Sequence, residues 1–146
     1  MMDVKFSVAA KAETETRVMV KARNFTMYVD EPPQLGGEDK GANPVEYVLA
    51  ALAGCLNVVG HLVAKEMGIV LRELSIEIQG ILNPAKFQGK SQQERAGYKQ
   101  IDVLINVKTD ADEKTLAKWL KTVEERCPVS DNLANPTPLK ISFKKI

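Results

Sequence analysis

NPVEYVLAALAGCLNVVGHLVAKEMG, residues 43–68, decides how the rest of the chain is read. Asn43 is placed to cap a helix, Pro44 takes the first helical position, where a missing N–H costs nothing, and Glu46 stands where it can cap back. From Tyr47 to Ala64 only Asn57 and His61 are plainly polar, and the helix is expected to end between Lys65 and Gly68. A helix that is apolar all round must be buried all round. A membrane span of similar length is the competing reading, but Ala and Gly are frequent and no second apolar segment accompanies it. One sheet covers only one side of such a helix. The small residues Ala50, Ala51, Ala53, Gly54 and Gly60 are therefore read as the approach surface for the same helix of a second copy, and a homodimer is expected.

On either side of this helix the pattern changes to strands. Upstream, 3–9, 15–21 and 25–30 read as strands, the last two joined by a turn at Ala22, Arg23 and Asn24. Pro32 and Pro33 stop the sheet, and LGGEDKGAN (35–43) reads as a mobile loop. Downstream, Leu74, Ile76 and Ile78 alternate on one strand, and Ile101, Val103, Ile105 and Val107 on another. The polar connection 83–97 between them is a candidate site rim. Asp110 and Glu113 have capping-box spacing ahead of a helix with Leu116, Trp119, Leu120 and Val123 on one face, which Pro128 is expected to end after Arg126 or Cys127. A last strand, 137–145, would carry Leu139, Ile141 and Phe143 on one face. The order is βββ-α-ββ-α-β, an α+β chain, and without repeats or linkers residues 1–146 are read as a single domain.

Of the 146 residues 45% are hydrophobic and 27% charged, and 20 Lys plus Arg are nearly cancelled by 19 Asp plus Glu. That balance lacks the basic excess from which nucleic-acid binding draws its affinity, so no nucleic acid and no membrane surface is expected as a partner. The start, MMDVKFSVAAKAE, has neither the basic nor the long apolar region of a signal peptide, and a cytoplasmic protein is expected. With two cysteines, Cys55 and Cys127, and one histidine, His61, the chain is one ligand short of a structural zinc site. It also lacks the Cys-x-x-Cys spacing of a thioredoxin-type dithiol.

The stretch LGGEDKGANPVEYVLAALAGC (35–55) resembles the signature of the OsmC/Ohr family, the osmotically inducible protein C and organic hydroperoxide resistance proteins. EERCPVSDNL (124–133) resembles the second cysteine region of its general OsmC-like branch, and the element order fits the family along essentially the whole chain. The resemblance implies an intertwined homodimer with sheets wrapped around two central helices. It further implies a cysteine-based peroxidase acting on organic hydroperoxides or hydrogen peroxide, in oxidative stress defence, with no metal, flavin or haem. By the same resemblance Cys55 is the peroxidatic thiol, Cys127 the resolving one, and a thiol or dithiol the reductant. The peroxidases of the family place a Glu directly after the Asn-Pro, where this chain has Val45, with Glu46 one residue later. They also carry an activating Arg in the N-terminal strands, for which Arg17 is the nearest candidate and Arg23 lies in the turn.

The residues themselves limit these roles. A free thiol, with a pKa of about 8.5, is only slightly ionised at neutral pH, and burial raises the pKa further, so Cys55 needs a cation beside it. The start of the helix is too far away to help. His61, six residues on, falls nearly opposite on the helix, which argues against a Cys-His hydrolase and for a structural histidine. Arginine is the better partner: Arg17 is either that activator or a solvated edge charge, and Arg126 is a weaker candidate. Glu46 is a candidate for orienting the Arg, but reads more readily as the reciprocal cap of Asn43. Cys127, at a helix C-terminus where a thiolate is disfavoured, is either a resolving thiol or a buried structural cysteine. The rival to a peroxidase is a non-catalytic protein holding a small apolar ligand at the dimer interface.

Overall fold

Asp30 organises the first part of the chain. In the computed structural model, which describes residues 1–146, the chain divides into two compact units, Met1–Val48 and Leu49–Ile146. The first unit is an antiparallel meander of β1 (Ala9–Ala12), β2 (Val18–Ala22) and β3 (Phe25–Val29). Ala22 pairs with Phe25 across a two-residue turn in which Arg23 takes a positive φ of 54° and sets its guanidinium over the Phe25 ring. The first strand lies later than 3–9. Glu13 and Thr14 donate to the Arg17 carbonyl, and this closure pairs Ala12 with Val18, leaving Val4, Phe6 and Val8 exposed.

The Asp30 side chain is buried at the end of β3 and accepts from the Thr16 hydroxyl and from the amides of Glu31, Glu38 and Lys40. The stretch expected to be mobile is thus tied to a buried carboxylate. Its adjacent glycines, Gly36 and Gly37, have separate causes: Gly36 sits at φ 87°, and a Cβ on Gly37 would fall 1.8 Å from the Glu31 carbonyl oxygen. Burial alone would raise the Asp30 pKa, but the amides of Lys40 and Glu31, the Thr16 hydroxyl and the Glu38 amide outweigh it and hold the carboxyl at about 2. A pKa below the unfolded value adds stability that is complete above about 4 and is lost as the pH falls through about 2. Asp30→Asn is therefore expected to lower the melting temperature at neutral pH and to flatten its fall between pH 4 and 2. An unchanged acid limb would remove Asp30 from that role.

Helix α1 (Pro44–Glu66) starts as expected. Asn43 Oδ1 accepts from the Glu46 amide at 2.9 Å, and Glu46 Oε2 accepts from the Asn43 amide at 2.8 Å, a reciprocal cap worth about 1 kcal/mol. The Tyr47 hydroxyl adds a bond to the Tyr28 carbonyl. The helix crosses from the first unit into the second and ends ahead of Gly68, whose φ is +70°.

In the second unit, β4 (Glu73–Ile81) and β5 (Gln100–Lys108) pair antiparallel from Glu73↔Lys108 to Ile81↔Gln100. Helices α2 (Glu113–Arg126) and α3 (Pro128–Ala134) follow. The core joins Leu52, Leu56, Val59 and Val63 of α1 to Ile69, Trp119, Val123 and Cys127, with Leu74, Ile76, Ile78, Ile101, Ile105 and Val107 packed against it. Gly60 is where Trp119 of α2 packs against α1. A Cβ there would lie 3.2 Å from Trp119 Cζ2, and the Trp119 indole N–H donates to the Gly60 carbonyl at 2.8 Å. Gly60 therefore serves Trp119 of the same chain rather than a second copy.

Two further expectations, the Asp110 cap and the strand over 137–145, are corrected. The cap of α2 is Asp112, accepting from the Thr115 amide, because Asp110 is held by the Arg72 guanidinium through two hydrogen bonds. Pro128 ends α2 but also opens α3, since proline suits a first helical turn. Residues 137–145 form no strand: Leu139, Ile141 and Phe143 are 81%, 88% and 95% exposed, and a strand needs a neighbour for its hydrogen bonds. The face of α1 bearing Ala50, Ala51, Gly54, Val58, His61 and Leu62 is exposed, so the apolar helix is covered on one side only within this chain.

Candidate functional site

Cys55 reaches the site from the start of the fourth turn of α1, between the buried Leu52 and Leu56. Cys127 reaches it from the joint of α2 and α3, where its side chain is fully buried. Their sulfurs lie 2.9 Å apart, and both thiols are free. A disulfide has sulfurs about 2.05 Å apart, so bonding this pair needs less than about 1 Å of approach. The chain's two cysteines, 72 positions apart in sequence, meet in one place.

The setting of Cys127 is more than a helix C-terminus. Its amide donates to the Val123 carbonyl at 3.0 Å, closing α2, while its sulfur accepts from the Ser130 amide at 3.4 Å, capping α3. The argument that a helix end disfavours its thiolate therefore covers half of its surroundings.

Burial pushes the Cys55 thiol up first, and the hydrogen bond shared with Cys127 pushes it the same way, because two touching sulfurs do not both ionise. The Val129 amide, aimed at the Cys55 sulfur, pulls in the opposite direction and is outweighed. Each arginine candidate has other partners. Arg17, just ahead of β2, binds Glu13 at 2.9 Å and Glu38 at 2.6 Å; Arg126 is clamped by both carboxylate oxygens of Glu66; Arg23 lies on Phe25. Glu46 is engaged with Asn43 as the cap. His61 is exposed, and its Nδ1 meets the Asn57 carbonyl at 2.8 Å, so it is a structural histidine on an open face rather than a buried one. No group of three or more His, Cys, Asp or Glu gathers in metal-binding geometry.

An apolar groove of about 430 Å³ runs between α1, β5 and α2, lined among others by Leu52, Leu56, Val103, Leu116, Leu120 and Ser130, with neither cysteine in its lining. One of its lining residues, Leu56, follows Cys55 in sequence, Leu52 lies one turn before it, and Ser130 gives its amide to Cys127. Sequence reasoning missed Val129 and Ser130. Their part is played by backbone amides, which leave no signature in residue type.

Comparison with known proteins gives a consistent picture. A family model described as OsmC-like protein matches residues 37–142, a span containing both cysteines. A hydroperoxide reductase of Mycoplasma genitalium is 24% identical over 144 residues, covering 97% of this chain and 96% of that protein. Among solved structures, an OsmC-like protein from Mycoplasma pneumoniae superposes with a TM-score of 0.79 at 20% identity, covering 92% of this chain and 91% of that one. An organic hydroperoxide resistance protein from Elizabethkingia anophelis superposes with a TM-score of 0.64 at 21% identity, over 92% and 93% of the two chains.

Proposed function

We propose that this chain, which belongs to the OsmC-like protein family, is a thiol-dependent peroxidase that reduces organic hydroperoxides, or hydrogen peroxide, through Cys55 and Cys127. The observation that carries the reading is the 2.9 Å apposition of the two free sulfurs. Relatives named hydroperoxide reductase support it at the level of the family.

In this reading the Cys55 thiolate attacks the outer oxygen of ROOH, the O–O bond breaks, and RO⁻ takes a proton to leave as the alcohol. Cys55 is left as a sulfenic acid, whose sulfur Cys127 attacks; an S–S bond forms, the S–O bond breaks, and water leaves. A dithiol returns both thiols by exchange. The apolar groove, which shares Leu56 and Ser130 with the surroundings of the pair, suits the hydrocarbon part of an organic hydroperoxide. Burial opposes the first step, so Cys55 needs a cation, and Arg17, held in this structure by Glu13 and Glu38, is the candidate for that role. Arg17→Met keeps the apolar stem and removes the charge; a raised Cys55 pKa and a slower reaction are expected. An unchanged pKa and rate would move the role to Arg23 or Arg126.

The protein is proposed to work as a homodimer. The open α1 face and the alternating apolar side chains of 4–8 and 139–143 are surfaces that a second copy can cover. Sedimentation at micromolar concentration should give a dimer, and a stable monomer would contradict it.

The groove also fits the rival, a protein that binds an apolar ligand without turning it over. Dithiothreitol-dependent consumption of cumene hydroperoxide separates the two. Catalytic consumption supports the peroxidase; tight retention of apolar ligands with no consumption supports the binding protein.

A further inference from the structure

Cys127 sits between two helices with an extended backbone, φ −79° and ψ 109°. Its amide belongs to α2 and its carbonyl to α3, accepting from the Asp131 amide at 3.0 Å. An extended residue at such a joint has a cause in the next position. Proline disfavours the α conformation of the residue before it and brings no N–H of its own to continue α2. The surrounding residues, from Glu113 to Ala134, contain no other proline and no glycine, so nothing else in the run interrupts a helix. A helical Cys127 would send its Cβ along the helix direction, whereas the contact with Cys55 and the bond from the Ser130 amide are both made from the extended backbone. The same turn presents the Val129 amide to Cys55.

We propose that Pro128 is a positioning residue for the thiol pair: its ring holds Cys127 in the extended conformation that sets the Cys127 sulfur against Cys55 and so favours disulfide closure. The proposal rests on the reading of Cys55 and Cys127 as a redox pair and adds what aligns them. In the closing step Cys127 attacks the sulfur of the Cys55 sulfenic acid, and hydroxide departs with a proton as water. Alignment of the two sulfurs governs that step and the disulfide equilibrium alike, since holding two reacting groups together raises the effective concentration of each at the other.

The test equilibrates the full-length protein with oxidised and reduced dithiothreitol, in which two thiols become one disulfide while oxidised dithiothreitol gains the two hydrogens. Pro128→Ala is expected to lower the equilibrium constant for the Cys55–Cys127 disulfide at least about tenfold, with free thiols counted after quenching. Leu133→Ala, which loosens α3 without touching the joint, should leave that constant within about twofold of wild type. Equal constants in wild type and Pro128→Ala would overturn the proposal, as would an equal fall in both variants, which would assign the effect to the stability of α3. If Pro128→Ala does not fold, Pro128→Ser is judged by the same limits. Dithiothreitol needs no peroxide chemistry, so failure of cumene hydroperoxide turnover in wild type would count against the peroxidase and leave this comparison standing.

Discussion

Cys55→Ser is expected to abolish dithiol-dependent hydroperoxide turnover, a loss on the order of 10⁴-fold or more, as when an enzyme loses its nucleophile. A serine hydroxyl is not ionised near neutral pH and has no low-energy path to accept an oxygen atom from a peroxide. The exchange of sulfur for oxygen is small in volume, and Cys55 is only partly buried, so the fold should persist. Cys127→Ser should behave differently: the first attack survives, but Cys55 stops at the sulfenic acid and over-oxidises on further exposure. Equal turnover in Cys55→Ser and wild type, measured by peroxide consumption, would exclude Cys55 as the nucleophile.

Trp119→Ala carries the largest expected effect on stability. Trp119 is 3% exposed, fills the space above Gly60, and satisfies a carbonyl of α1 through its indole N–H. Its removal leaves a cavity between α1 and α2 and should cost about 3 to 5 kcal/mol. That is a large share of the roughly 5 to 15 kcal/mol typical of a native domain. Trp119→Phe, which fills much of the volume but lacks the N–H, should fall between Ala and wild type. Urea unfolding gives the values, and a loss below about 1 kcal/mol in Trp119→Ala would mean that α2 is not anchored here.

Much of the fold was legible because it is written in local chemistry. Asn43, Pro44 and Glu46 announce the start of α1, and all three hold the places expected of them. The alternation of Leu74, Ile76 and Ile78 with Ile101, Ile105 and Val107 likewise becomes a two-stranded sheet facing the core. The misreadings arose where two partners compete for one residue or where the partner is distant. Asp110 has capping-box spacing, yet Arg72, 38 positions away, takes its carboxylate, and Asp112 caps instead. The alternation of Leu139, Ile141 and Phe143 is a strand pattern without a neighbouring strand in this chain.

The site was legible in its residues and not in its geometry. Nothing local brings Cys55 and Cys127 together; that follows from α2 packing on α1 through Trp119 and Val123. The amides of Val129 and Ser130 depend on the backbone turn at Cys127, which only Pro128 hints at. Charge type alone marks the arginine candidates, and it does not reveal that carboxylates hold them, Glu13 and Glu38 for Arg17 and Glu66 for Arg126.

Titration of the reduced protein with cumene hydroperoxide, followed by free-thiol counting and intact mass, tests the peroxidase account most directly. One equivalent should consume both thiols, produce one equivalent of alcohol, and lower the mass of each chain by two hydrogens without joining chains, because the sulfenic acid on Cys55 lies against Cys127. A chain that keeps both thiols, or that gains oxygen on Cys55 while Cys127 stays free, would contradict it.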